Sequence, residues 1–199
     1  MMSNIERIHY FGKLRRRREF IKATGLARDY YYEWEVWFNK CSNTNSLLPF
    51  LSTKNKVKPV WLFIISEGDI LKVGLTTLSS DLAERKHPFF VYFENETTQL
   101  EKSDRILASI LSMAGKYEGF VNTVANGDFT IAEEQYFTLP SKQYEVADQF
   151  KDILDDINSE IIEKKHDSIM HSYWVNLENF STINHQGALT CTLYNKIYG

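Results

Sequence analysis

Pro59-Val60-Trp61-Leu62-Phe63-Ile64-Ile65-Ser66-Glu67-Gly68-Asp69-Ile70-Leu71-Lys72-Val73-Gly74-Leu75 is the stretch that decides the fold class. Two apolar, β-branched runs, Val60 to Ile65 and Ile70 to Leu75, flank four turn-forming residues, which predicts a β-hairpin. Downstream, Phe89-Phe90-Val91-Tyr92-Phe93 is an uninterrupted aromatic and β-branched run that fits a buried central strand, with Pro88 marking its entrance. Upstream, Ile8 to Gly12 reads as a first strand leading into a loop. Helices are interleaved with these strands. Tyr30, Trp34, Trp37, Phe38 and Cys41 recur at helical spacing, as do Leu100, Leu107, Ile110, Leu111 and Ala114 before Gly115. A further helix carries Val146, Phe150, Ile153, Leu154, Ile157 and Ile161 on one side and acidic residues on the other. Residues 41–58 read as a loop around a Leu47-to-Leu51 apolar island. Leu189, Cys191, Leu193 and Ile197 alternate with polar neighbours, which predicts a half-buried last strand. The pattern is that of one layered α/β domain over residues 1–199, whose sheet includes antiparallel pairs.

Composition narrows the class. The chain has 199 residues, 43% hydrophobic, 14% aromatic and 25% charged, with a formal net charge of −3. These fractions describe a folded globular protein rather than a disordered or low-complexity chain. The longest apolar stretch is too short for a bilayer helix, and the N-terminal region lacks the apolar core of a secretory signal. A cytoplasmic location without membrane insertion is the expectation. Cys41 and Cys191 make neither a disulfide framework nor a thiol-based zinc site, so reduced thiols are expected.

Four segments bear on chemistry. Lys13 and the run Arg15-Arg16-Arg17-Arg18 form the strongest local charge, suited to an acidic partner; an acidic chain without a spread positive face argues against nucleic acid. Ser79, Ser80, Asp81, Glu84, Arg85 and His87 form a polar cluster. In it, Asp81 and Arg85 stand four apart, the spacing of an ion pair on a helical turn, and no G-x-S-x-G turn supports a nucleophilic serine. The five histidines show no metal-binding spacing, and the Trp34, Trp37, Phe38 stripe has the character of core. No catalytic, cofactor or metal residue is assigned.

Two resemblances follow from longer segments. Leu62 to Ile65, Gly68-Asp69, Lys72 to Thr77, Arg85 and His87 resemble a GIY-YIG nuclease, although the motif tyrosines are missing and Glu101 has no ligand-like spacing. That resemblance implies metal-dependent cleavage of nucleic acid. A broader set, in order along the chain, resembles the TagF family of type VI secretion accessory proteins: Phe11-Gly12-Lys13-Leu14, then Phe20, Trp34 and Trp37, Pro59-Val60-Trp61-Leu62-Phe63, and Ser79, Asp81, Arg85 and Pro88, with a weaker echo at Ser172-Tyr173-Trp174-Val175. Arg15 to Arg18 stand where the family has P-S-R-G, Leu62 where it has arginine, and Leu82-Ala83-Glu84 where it has R-V-G. The resemblance implies a three-layer α/β/α sandwich with a mixed, partly antiparallel sheet. It also implies a non-enzymatic, cofactor-free repressor of the secretion apparatus that acts after translation and is linked to its forkhead-associated scaffold protein.

Overall fold

The computed structural model describes residues 8–14, 18, 20–22, 27–42, 58–96, 103–127, 148–164 and 167–199. Strand β1 (Ile8–Gly12) and the two-residue β2 (Ile21–Lys22) precede helix α1 (Arg28–Ser42). Then come β3 (Trp61–Glu67), β4 (Ile70–Ser80) and β5 (Lys86–Glu96), followed by α2 (Ser103–Ala114), α3 (Tyr117–Asn126) and α4 (Asp148–Lys164). The chain ends with β6 (His171–Asn176), β7 (Thr182–Gln186) and α5 (Cys191–Tyr198). The strands form one sheet in the order β2-β1-β5-β4-β3-β6-β7.

The predicted hairpin forms as β3 and β4, turning at Gly68, and Trp61 faces Thr76 across it. The expectation of a mixed sheet is corrected, because every neighbouring pair of strands is antiparallel. The physical reason is connectivity: β3–β4, β4–β5 and β6–β7 are joined by tight turns, which only antiparallel neighbours allow.

Pleating sends alternate residues of each strand to opposite faces. Along β5, Phe89, Val91 and Phe93 enter one core with Ile110, Phe120, Leu154 and Ile161 from α2, α3 and α4. Phe90 and Tyr92 enter a second, with Trp34, Trp37 and Phe38 of α1 and Leu193, Ile197 and Tyr198 of α5. Gly74 of β4 keeps these layers close, since a Cβ there would lie 2.4 Å from both the Phe63 ring and the Val91 carbonyl oxygen.

Residues 191–198 are helical, not the expected strand. Thr190 caps the helix, its side chain accepting from the Leu193 N–H at 3.2 Å, and Leu193, Tyr194, Ile197 and Tyr198 then share one buried face. Alternation and helical periodicity overlap over so short a window, so the pattern satisfied both. Trp61 Nε1 donates to the Ile197 carbonyl at 3.0 Å and Trp37 Nε1 to that of Thr190 at 2.8 Å, holding α5 against α1 and β3. The buried hydroxyls of Thr76 and Tyr198 meet at 2.7 Å.

The two cysteines are a disulfide, correcting the expectation of free thiols. Cys41 at the end of α1 and Cys191 at the start of α5 have Cα atoms 5.1 Å apart across 150 positions of sequence. Only the packing of two distant helices brings them together, so no local spacing could reveal the pair. Cys41→Ser is expected to lower stability by about 2–4 kcal/mol in oxidising buffer and to have far less effect in reductant. Denaturant titrations of both forms, with and without dithiothreitol, measure this.

Candidate functional site

Two of the motif blocks meet at one carboxylate. In Gly12-Lys13-Leu14, each residue has a separate task. Gly12 sits at φ +136°, opposite Phe89, and a Cβ there would lie 2.4 Å from the Pro88 carbonyl oxygen, so only glycine lets β1 approach β5 this closely. Leu14 is wholly buried in the core. Lys13, between them, reaches Asp81 across 68 positions of sequence, its Nζ donating to Oδ2 at 3.1 Å.

Asp81 begins the turn between β4 and β5. Its Oδ1 accepts from the backbone N–H groups of Ala83 and Arg85, both at 2.9 Å. Its Oδ2 takes the Arg85 guanidinium, with Nε and a terminal nitrogen each at 2.7 Å. The same turn is closed by Asp81 N–H to the Arg85 carbonyl, with Glu84 in the left-handed region at φ +58°. The expected Asp81–Arg85 ion pair is present, but on a hairpin turn rather than a helical one, and with a second cation that sequence spacing did not reveal. Burial of the Asp81 carboxylate alone would raise its pKa. Arg85, Lys13 and the two N–H donors outweigh that and hold it well below the usual carboxylate range.

His87 lies beside this node, paired with Ser79 across the hairpin. A carbonyl only accepts, so the 2.7 Å contact between Nδ1 and the Pro88 oxygen places the proton on Nδ1. Nε2 is buried and has no partner among the described residues. The rings of Phe20 and Phe38 stand edge-on to the imidazole at 4.5 and 5.4 Å. Burial pushes its pKa down to about 4, so the ring is neutral at pH 7.

The remaining sequence candidates divide between core and surface. Trp34, Trp37 and Trp61 are buried, as are Ser79 and Pro88. Phe20 is 39% exposed and stacks on Phe11. Arg18 is exposed; Arg15, Arg16 and Arg17 lie outside the described residues, as do Glu101, His166 and the Leu47-to-Leu51 island. Among the described residues, no group of three or more His, Cys, Asp and Glu side chains is placed to hold a metal ion, and no helix is long and apolar enough to cross a membrane. Arg85, the residue a GIY-YIG reading would set on phosphate, is clamped to Asp81.

No protein-family model matches the chain, and no curated protein does. Among solved structures, the chain is similar to PA0076 from Pseudomonas aeruginosa PAO1, with a TM-score of 0.52 and 16% identity over 96% of this chain and 94% of that one. At that identity the likeness is one of fold: a mixed α/β architecture spanning nearly the full length of both chains.

Two predictions test this node. Gly12→Ala should cost about 1–3 kcal/mol in denaturant titrations, because the residue is both conformationally strained and sterically blocked. Acid unfolding should show two limbs. A neutral buried His87 adds stability that is complete above its ordinary pKa of 6.5 and is lost as pH falls towards about 4. The Asp81 carboxylate adds stability that is complete above its ordinary 3.8 and is lost as pH falls further. His87→Phe should therefore flatten the upper limb and Asp81→Asn the lower, measured as melting temperature against pH.

Proposed function

We propose that this chain is a divergent relative of the TagF proteins: one three-layer α/β/α domain acting in the cytoplasm as a post-translational repressor of type VI secretion assembly or firing. It does so by binding a component of the apparatus, the forkhead-associated scaffold protein being the first candidate. The observation that carries this reading is the convergence on Asp81. Phe11-Gly12-Lys13-Leu14 and Ser79-x-Asp81-x-x-x-Arg85-x-x-Pro88 are separate blocks in the sequence, yet they form one interlocked unit in space. Blocks that interlock are what a shared structural family requires, whereas chance matches have no reason to meet. Two cores, each lined by helices and by one face of the same sheet, support the layered arrangement.

A repressor of this kind works by occupancy, so it needs a stable face and no reacting group. The Asp81 node supports such a role by fixing the end of the sheet where β1, β4 and β5 meet. The cytoplasm would reduce the Cys41–Cys191 bond, and the buried face of α5, the Thr76–Tyr198 contact and the Trp37 and Trp61 hydrogen bonds would then hold the helix.

A tagged chain expressed in a strain with an active type VI system should co-purify with the scaffold or another secretion component. Deleting the gene should raise secretion of the tube protein. Unchanged secretion together with no secretion component in the pull-down would overturn the reading.

A further inference from the structure

The charge on this chain is strongly segregated. Between Lys13 and Arg28 the sequence holds Lys13, the Arg15 to Arg18 run, Lys22 and Arg28 against the single acid Glu19, a net of +6 within a chain of −3, which leaves −9 on the remainder. Helix α4, with Asp148, Asp152, Asp155 and Asp156 all exposed, carries part of that negative balance on another face of the molecule. Charge this uneven along the chain favours an oppositely charged partner at the positive segment.

Within the positive segment, cations and aromatic rings alternate in contact. Arg28 stands over the Tyr32 ring at 4.9 Å, Lys22 over Tyr31 at 5.1 Å and Lys13 over Phe20 at 4.9 Å. Phe11 stacks on both Tyr31, at 5.0 Å, and Phe20, at 5.4 Å, joining the Lys22 and Lys13 pairs into one strip, with the Arg28–Tyr32 pair one position further along α1. Lys13 links the strip to Asp81, next to which Leu82 is 55% exposed. The faces of Tyr31 and Phe20 are taken up by a cation and by Phe11, so an incoming partner meets ring edges. Ring edges carry the positive end of the aromatic quadrupole, and with the cations they suit carboxylates. Nucleic-acid bases need open ring faces on which to stack, and those of Phe20 and Tyr31 are taken.

We infer that the strip formed by Phe20, Lys22 and Tyr31, flanked by Arg28 and Tyr32 on α1 and by the exposed Arg18 two positions before Phe20 in sequence, docks an acidic segment of a protein partner, its carboxylates on the cations and an apolar side chain between Phe20 and Leu82. The inference deepens the proposed function, because it names the surface and the chemistry of the component bound.

The test uses the full chain and a short fluorescein-labelled peptide of Asp and Glu interrupted by Leu and Phe, with an oligothymidine of equal charge as comparator, read by fluorescence anisotropy at low and physiological salt. The peptide should bind, more weakly as salt rises. Arg18→Ser, Lys22→Ser and Arg28→Ser together should weaken binding roughly tenfold or more. Arg18→Lys, Lys22→Arg and Arg28→Lys together should preserve it, and both triple variants should melt with the parent because these side chains lie on the surface. Absence of binding, equal loss in both variants, or tighter binding of oligothymidine would overturn the inference. So would self-association abolished by the serine variant, since the strip's occupant would then be the acidic face of a second copy. If the serine variant still captures a secretion component in the pull-down, the strip falls and the proposed function stands. If the parent captures none while the peptide results hold, the function falls and the strip stands.

Discussion

The constraint on which the rest of the structure depends is the pleat of β5. Phe89, Phe90, Val91, Tyr92 and Phe93 are all buried, and an extended strand must send alternate members of that run to opposite faces. Neither face can be left to water, so the chain has to supply helices to both. Helices α2, α3 and α4 cover Phe89, Val91 and Phe93, and α1 with α5 covers Phe90 and Tyr92. The abundance of aromatic residues then has a plain use: wide rings fill the space between sheet and helix, and two tryptophans anchor α5 by their indole N–H groups.

The second constraint is electrostatic. A carboxylate as buried as Asp81 is tolerable only when its lone pairs are filled and its charge is balanced. The turn supplies two N–H groups and the Arg85 guanidinium, and Lys13, just past the end of β1, reaches in across 68 positions of sequence. Breaking one partner would strand the others, so the node ties the first strand to the β4–β5 hairpin. It also sets the base of the cation-and-ring strip, since the same Lys13 that reaches Asp81 stands over Phe20. The end of the sheet that holds this network together is therefore also the end that carries Lys13, Phe20 and Lys22.

The strong, local patterns are legible in the sequence itself. The β3–β4 hairpin, the β5 run, and helices α1, α2 and α4 lie where periodicity puts them, with Leu100 and Val146 outside the described residues, because each has enough consecutive residues to distinguish a period of two from one of 3.6. Strands β2 and β7 are short and half-exposed, and α3 is brief, so none produces a pattern above background. The Asp81–Arg85 pair was visible from its spacing of four. Lys13 is visible as a member of a basic run and of the Phe11-to-Leu14 block, but nothing local indicates that its ammonium turns back towards the β4–β5 turn.

What the sequence by itself determined is the alternation of long apolar runs, hence the sheet, its need for helices, and the segregation of positive charge between Lys13 and Arg28. Those features are set by neighbours a few residues apart, and burial of apolar surface enforces them wherever the chain folds. Tertiary structure alone decided the order of the strands across the sheet, the helical state of residues 191–198, the Cys41–Cys191 bond and the meeting of Lys13 with Asp81. Each depends on residues brought together across tens to more than a hundred positions, and only the packed cores on the two faces of the sheet choose those partners.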